Sequence, residues 1–140
     1  MGFAEIHPLV IHFPIALLSV GFLCDVLGFV FQKKSLENAG WWNLFFGMFS
    51  SICAFITGLI ADFGGSPRLI DEPFPLHENH AYLQILVVCV FLSLMVWRIK
   101  LRRALPLDSI TALIYLGVLG ITVGVLFYGS HLGAVLSGRI

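Results

Sequence analysis

Apolar positions in this chain run in long blocks instead of alternating with polar ones. Four blocks, at about residues 8–31, 40–61, 80–97 and 109–136, are each long enough to cross roughly 30 Å of hydrocarbon at about 1.5 Å per helical residue. Lipid offers no partner to a free backbone N–H or C=O, so blocks of this kind predict helices. Ten-residue stretches of strict apolar–polar alternation, which a membrane barrel needs, are missing. The expectation is one all-α domain over residues 1–140, an integral membrane four-helix bundle. Asp108-Ser109, after Pro106, reads as the start of the fourth helix.

Composition supports this. Of 140 residues, 59% are hydrophobic and 11% charged, whereas a soluble domain has about a quarter of its residues charged. So few charges cannot cover a water-soluble globule. A soluble enzyme, a nucleic-acid binder and a disordered tail are excluded, and the bilayer is the first partner. Orientation follows from the basic residues. Lys33 and Lys34 follow the first block, and Arg98, Lys100, Arg102 and Arg103 follow the third. By the positive-inside rule both connections are cytoplasmic, which puts both termini and the Asp62–Asn79 loop on the outer, periplasmic side. The opening Met-Gly-Phe-Ala-Glu has neither a basic stretch nor a cleavage site, and Ile6 argues against myristoylation.

Small residues predict how the helices meet. In the second block Gly47, Ser51, Ala54, Gly58 and Ala61 recur in steps of four and three, the seam of a left-handed pair. In the fourth, Gly117, Gly120, Gly124, Gly129 and Gly133 predict packing, with room for a flat cofactor or a second subunit as the functional alternative. Pro14 is expected to free the carbonyl of Val10 and kink the outer turn. Cys24, Cys53 and Cys89 read as small buried apolar residues; no Cys-x-x-Cys motif is present.

All five histidines, His7, His12, His77, His80 and His131, fall near the outer ends of their blocks. Ionisable groups in membranes are costly and usually face a partner or a cavity. Paired imidazoles on facing helices are a common way to hold b-type haem. If the first and third helices are diagonal, His12 and His80 can meet across the core, with His7 and His131 as alternates or a second pair. His7 and His12 are about 140° apart on one helix and would not share a ligand unless the helix starts at Pro8. Phe13, Phe22, Phe45, Phe49, Tyr82, Phe127 and Tyr128 could line a porphyrin. A bare zinc, iron or copper ion is the rival ligand, with His77 and His80 one turn apart and Asp62, Glu5 and His131 nearby. Asp62, at the outer end of the second block, could support a histidine. Asp25 is expected near Lys33 or another polar neighbour, or in a proton path with Asp62. Glu5, Asp62, Asp71, Glu72 and Glu78 make the outer face acidic, which would attract a basic partner such as a periplasmic cytochrome.

The string His7-Pro8-Leu9-Val10-Ile11-His12-Phe13-Pro14-Ile15-Ala16 resembles the opening of a bacterial membrane family known as domain of unknown function 2231. The resemblance continues through Asp25, Ala54–Asp62, His80 and Arg98 to Gly129-Ser130-His131-Leu132-Gly133. Ala134 stands where the family's Gly-x-x-Gly-Gly element ends in glycine, and the Leu-Val-Tyr that follows it is absent. The resemblance implies a four-span membrane domain. It also implies redox work, because relatives sometimes occur beside cytochrome c or rubredoxin-like modules. The leading expectation is a haem b electron-transfer module in a bacterial inner membrane, an electron carrier more than a stand-alone enzyme. Two alternatives stand beside it: an accessory, non-redox subunit of a respiratory or photosynthetic complex, or a histidine-dependent metal or proton transporter. Gly-rich helix faces could also support a homo-oligomer.

Overall fold

The computed structural model describes residues 10–63 and 80–136. Four helices make it up: α1 (His12–Phe31), α2 (Lys34–Phe63), α3 (His80–Lys100) and α4 (Ser109–Leu136). Among the described residues there is no strand. Each helix is long and apolar enough to cross a membrane. Neighbours pack in the ring α1–α2–α3–α4, closed by α1 against α4, so α1 and α3 are diagonal as expected. Leu18, Leu44, Phe91, Leu119 and Leu126 fill the centre, while Phe13, Phe49, Ile99 and Ile121 are exposed on the perimeter, where lipid would cover them.

The tightest contact is the α1–α2 hairpin. A Cβ on Gly21 would lie 2.8 Å from the Leu44 side chain, one on Gly47 2.8 Å from Leu18, and one on Gly28 3.0 Å from Glu37. A Cβ on Gly40 would run into the Asp25 carboxylate. Each glycine therefore receives the larger residue opposite it: Leu18 against Gly47, Gly21 against Leu44, Asp25 against Gly40, Gly28 against Glu37. Steps of three and four on both helices give the left-handed seam that the small residues predict. Ser51 and Ala54 continue it on the buried side of α2.

Two helix ends extend beyond the apolar blocks by three residues or more. α2 begins at Lys34, so only Gln32 and Lys33 connect it to α1. Gln32 is left-handed (φ 53°), and its N–H and that of Lys33 both reach the Gly28 carbonyl. This closes α1 at once, and the Lys33 carbonyl accepts from Leu36 and Glu37 to open α2. The polar stretch before Gly40 resembles a loop because helix continues here beyond the apolar block. α3 likewise runs to Lys100, which puts Arg98 inside a helix. Val10 is helical, Ile11 is a turn residue still in the right-handed helical region (φ -65°, ψ -21°), and α1 resumes at His12. This break is where Pro14, with no N–H to offer the Val10 carbonyl four residues back, is expected to interrupt the helix.

The α4 glycines divide. Gly120 packs on Phe22 and Gly129 on Leu83 and Gln84, but Gly117 and Gly124 face open space. Cys89 is exposed instead of buried.

Candidate functional site

The densest polar arrangement lies at the end of the bundle that carries the two short connections. Arg98 and Asp25 are both 0% exposed. Arg98 Nη1 donates to Asp25 Oδ2 (2.5 Å) and to the Tyr115 hydroxyl (3.2 Å). Its Nη2 donates to the carbonyls of Glu37 (3.2 Å) and Arg103 (2.7 Å), and its Nε to Arg103 again (3.3 Å). A guanidinium has five N–H donors, and here all five are used. Tyr115 in turn donates to Asp25 Oδ2 (3.0 Å). One side chain of α3 thus ties α1, α2, α4 and the α3–α4 turn together.

Glu37 extends this clasp. Its Oε2 accepts from Lys34 (3.3 Å) and from the Leu105 N–H (3.4 Å), so the two connections are stitched to each other. The turn is strained, since Arg102 (φ 55°) and Arg103 (φ 69°) are consecutive left-handed residues, a conformation that costs about 1–2 kcal/mol for each residue with a Cβ. The Arg103 N–H closes on the Arg98 carbonyl at 2.7 Å, and Arg98 holds the Arg103 carbonyl from the other side. Two buried polar atoms, Asp25 Oδ1 and Trp41 Nε1, have no hydrogen-bond partner among the described residues.

Sequence reasoning placed Asp25 with Lys33 or another polar neighbour. Its partners are Arg98 and Tyr115, and Lys33 is exposed. Asp25 is thirteen residues, about 20 Å, along α1 from His12. Arg98, Glu37 and Tyr115 were missed as site residues. The available signal was the acid itself: a carboxylate well inside an apolar block requires a cation at the same depth, and Arg98 is the basic residue nearest the third block.

At the other end, His12 and His131 are exposed, and neither imidazole makes a hydrogen bond to the described residues. The packing contacts fix their relative heights. Phe22 meets Gly120; ten residues back along α1 is His12, and ten on along antiparallel α4 is Ser130, next to His131. Leu83 meets Gly129; three residues back on α3 is His80, and two on in α4 is His131. Three helices therefore bring His12, His80 and His131 to one level.

Direction separates them. At about 100° per residue, His12 is nearly opposite the Gly21–Asp25 seam, on the line of exposed Leu23 and Val30. That flank does not face the diagonal helix. His131 is about 20° from the Gly120 line, on the edge of α4 next to α1. The side chains of His80 and Asp62, and all of His7 and His77, lie outside the described residues. No group of three or more His, Cys, Asp or Glu able to hold a metal forms among the described residues. A groove of about 230 Å³ between α3 and α4, lined by Val87, Val90, Val118, Val125 and Thr122 among others, has no histidine, cysteine or carboxylate in its lining, and the Thr122 hydroxyl donates to the Val118 carbonyl.

The architecture defines a class: a four-helix membrane module, clasped at one end by a buried ion pair, with His12, His80 and His131 at one level toward the other. The chain belongs to the family described as "Predicted membrane protein (DUF2231)", which matches residues 4–140. No curated protein and no solved structure matches it.

Proposed function

We propose that the chain holds a b-type haem at its histidine end and transfers electrons at that face of the membrane. The observation behind this reading is the common level of His12 and His131 on adjacent antiparallel helices, both exposed, with His80 at the same height on α3. Haem iron requires only two axial ligands from the protein, which two imidazoles can supply, whereas a structural zinc site takes four ligands. His12 lies on the exposed line of Leu23 and Val30, off the diagonal axis, so the favoured pair is His12 with His131 of the adjacent helix, ahead of His12 with His80. His7 remains an alternate. Exposed Phe13, Phe127 and Tyr128 are near that level and give a planar ring apolar surface to lie on. The haem would supply reversible one-electron chemistry; the chain would supply ligands and position. The positive-inside rule puts this end outside a bacterial inner membrane, toward a soluble electron carrier such as a periplasmic cytochrome.

The test is an absorption spectrum of haem-replete protein in mild detergent, oxidised and then dithionite-reduced. The reading expects a Soret band that shifts on reduction. His12→Ala and His131→Ala should each abolish it, and His80→Ala should spare it. Loss with His80→Ala but not His131→Ala would restore the diagonal pair. A flat wild-type spectrum would overturn the proposal.

One observation favours the second reading, an accessory subunit. Gly117 and Gly124 face open space on the exposed side of α4, where another helix could approach closely. Copurification of a colourless chain within a larger complex would support it.

A further inference from the structure

We propose that the clasped end binds the headgroup of an anionic phospholipid, with Arg103 as the phosphate contact and the aromatic face of α2 as the bed for its acyl chain. This inference is independent of the haem reading, which concerns the opposite end.

Arg103 is exposed, yet it is held in place. Its guanidinium carbon is 5.5 Å from the Trp41 ring centre and 5.6 Å from that of Trp42. Its backbone is pinned from both sides by Arg98, through the N–H and the carbonyl. Cation–ring attraction fixes the position of the guanidinium without consuming the N–H donors that would meet a phosphate. No carboxylate pairs with Arg103 among the described residues.

Charge at this end selects an anion. Asp25 is taken by Arg98 and Glu37 by Lys34. The exposed cations Lys33, Lys100, Arg102 and Arg103 then face one exposed described acid, Asp108, whose carboxylate is engaged by Thr111. A basic cluster flanking membrane helices attracts anionic lipid, with about fivefold in binding per basic residue near the surface.

The aromatic face selects a lipid over a soluble anion. Trp42, Phe45, Phe46 and Phe49 are all exposed, at 47%, 42%, 52% and 62%, and successive ring contacts of 5.5 to 5.9 Å join the first three. They lead from Arg103 down α2 toward the middle of the apolar span. A free phosphate would use the cations and ignore this surface. An acyl chain attached to that phosphate would use both.

The experiment uses full-length protein, delipidated in detergent and offered equal amounts of phosphatidylglycerol and phosphatidylcholine, with bound lipid counted by native mass spectrometry. Wild type should retain phosphatidylglycerol preferentially. Arg103→Gln should lower that preference about fivefold, and Arg103→Lys should recover only part of it, because the planar fork is lost. Trp42→Leu should weaken retention while leaving every charge in place. Unchanged preference in both Arg103→Gln and Trp42→Leu would reduce the effect to diffuse surface charge and overturn the site. Displacement of the lipid by inorganic phosphate at equal concentration would also overturn it, in favour of a free-anion site.

Discussion

The two ends of this bundle handle polar groups in opposite ways. At the clasped end a carboxylate, a guanidinium and a phenol are buried together, and every donor of Arg98 is used. At the histidine end His12 and His131 are exposed, their imidazoles without hydrogen bonds to described residues. Burial of an ion pair makes its members structural, because removing one partner strands the other in low dielectric. Exposure without pairing leaves a group available to a ligand. The clasped end therefore holds the fold together, the histidine end is where the proposed ligand would bind, and substitutions can separate the two.

The largest effect is expected from breaking the ion pair. Asp25→Ala leaves Arg98 buried without its counter-charge and should cost about 3–5 kcal/mol. Arg98→Met should cost at least as much, since it also frees the carbonyls of Glu37 and Arg103 and releases the strained turn. By contrast, His12→Ala and His131→Ala in haem-free protein should fall within about 0.5 kcal/mol of wild type. Denaturant unfolding in detergent, followed by circular dichroism, reads all four. Equal losses at both ends would end the division of roles.

Tyr115→Phe sharpens the same contrast. Its hydroxyl both accepts from Arg98 and donates to Asp25, and hydrogen bonds to charged groups contribute about 1.5–3 kcal/mol. The same unfolding assay should show a loss of that order, smaller than the loss from Asp25→Ala. No change would mean that the ion pair alone closes the clasp.

Glycine substitutions test the packing that puts Asp25 in place. Gly40→Ala would drive a methyl into the Asp25 carboxylate, and overpacking of this kind costs about 1–3 kcal/mol. Gly117→Ala meets nothing within 4 Å and should be neutral, or slightly stabilising because alanine is the better helix former. A cost for Gly117→Ala matching that of Gly40→Ala would show that the open α4 face is occupied by another helix.

How much of this was legible in the sequence depends on the kind of signal. The four spans follow from apolar blocks alone, and the fourth matches at both ends. The small-residue seam of α2 was readable because three-and-four spacing is a geometric repeat. The polar helix start at Lys34–Ala39 was not, since hydropathy marks where a helix enters lipid and not where it begins. The clasp was half legible. Asp25 demanded a partner, but Arg98 is seventy-three residues away, and only the antiparallel ring brings the two to one depth. Glu37 and Arg103 contribute mainly backbone carbonyls to Arg98, which no residue pattern announces. The α4 glycines looked alike in spacing, yet their direction around the helix separates Gly120, against Phe22, from Gly117 and Gly124, against open space.

The smallest loss expected at the clasped end comes from an exposed group, and it asks whether exposure alone makes a polar group dispensable there. Asp108 precedes α4; its Oδ2 accepts from the Thr111 N–H and hydroxyl, both at 2.9 Å, the N-cap arrangement that the Asp108-Ser109 pair predicts. Those two bonds, the backbone one foremost, hold its carboxyl below the usual range. A depressed carboxyl favours the folded state fully above the unfolded value, about pH 3.9, and the advantage is lost as pH falls through the folded value. Asp108→Ala should therefore lower Tm slightly at pH 7, by less than any clasp substitution, and the difference from wild type should shrink on acidification below about pH 4. Thermal melts at pH 7 and pH 3 check this. A deficit that persists unchanged at the lower pH would assign the effect to the helix propensity of the new residue, leaving the cap without a measurable role.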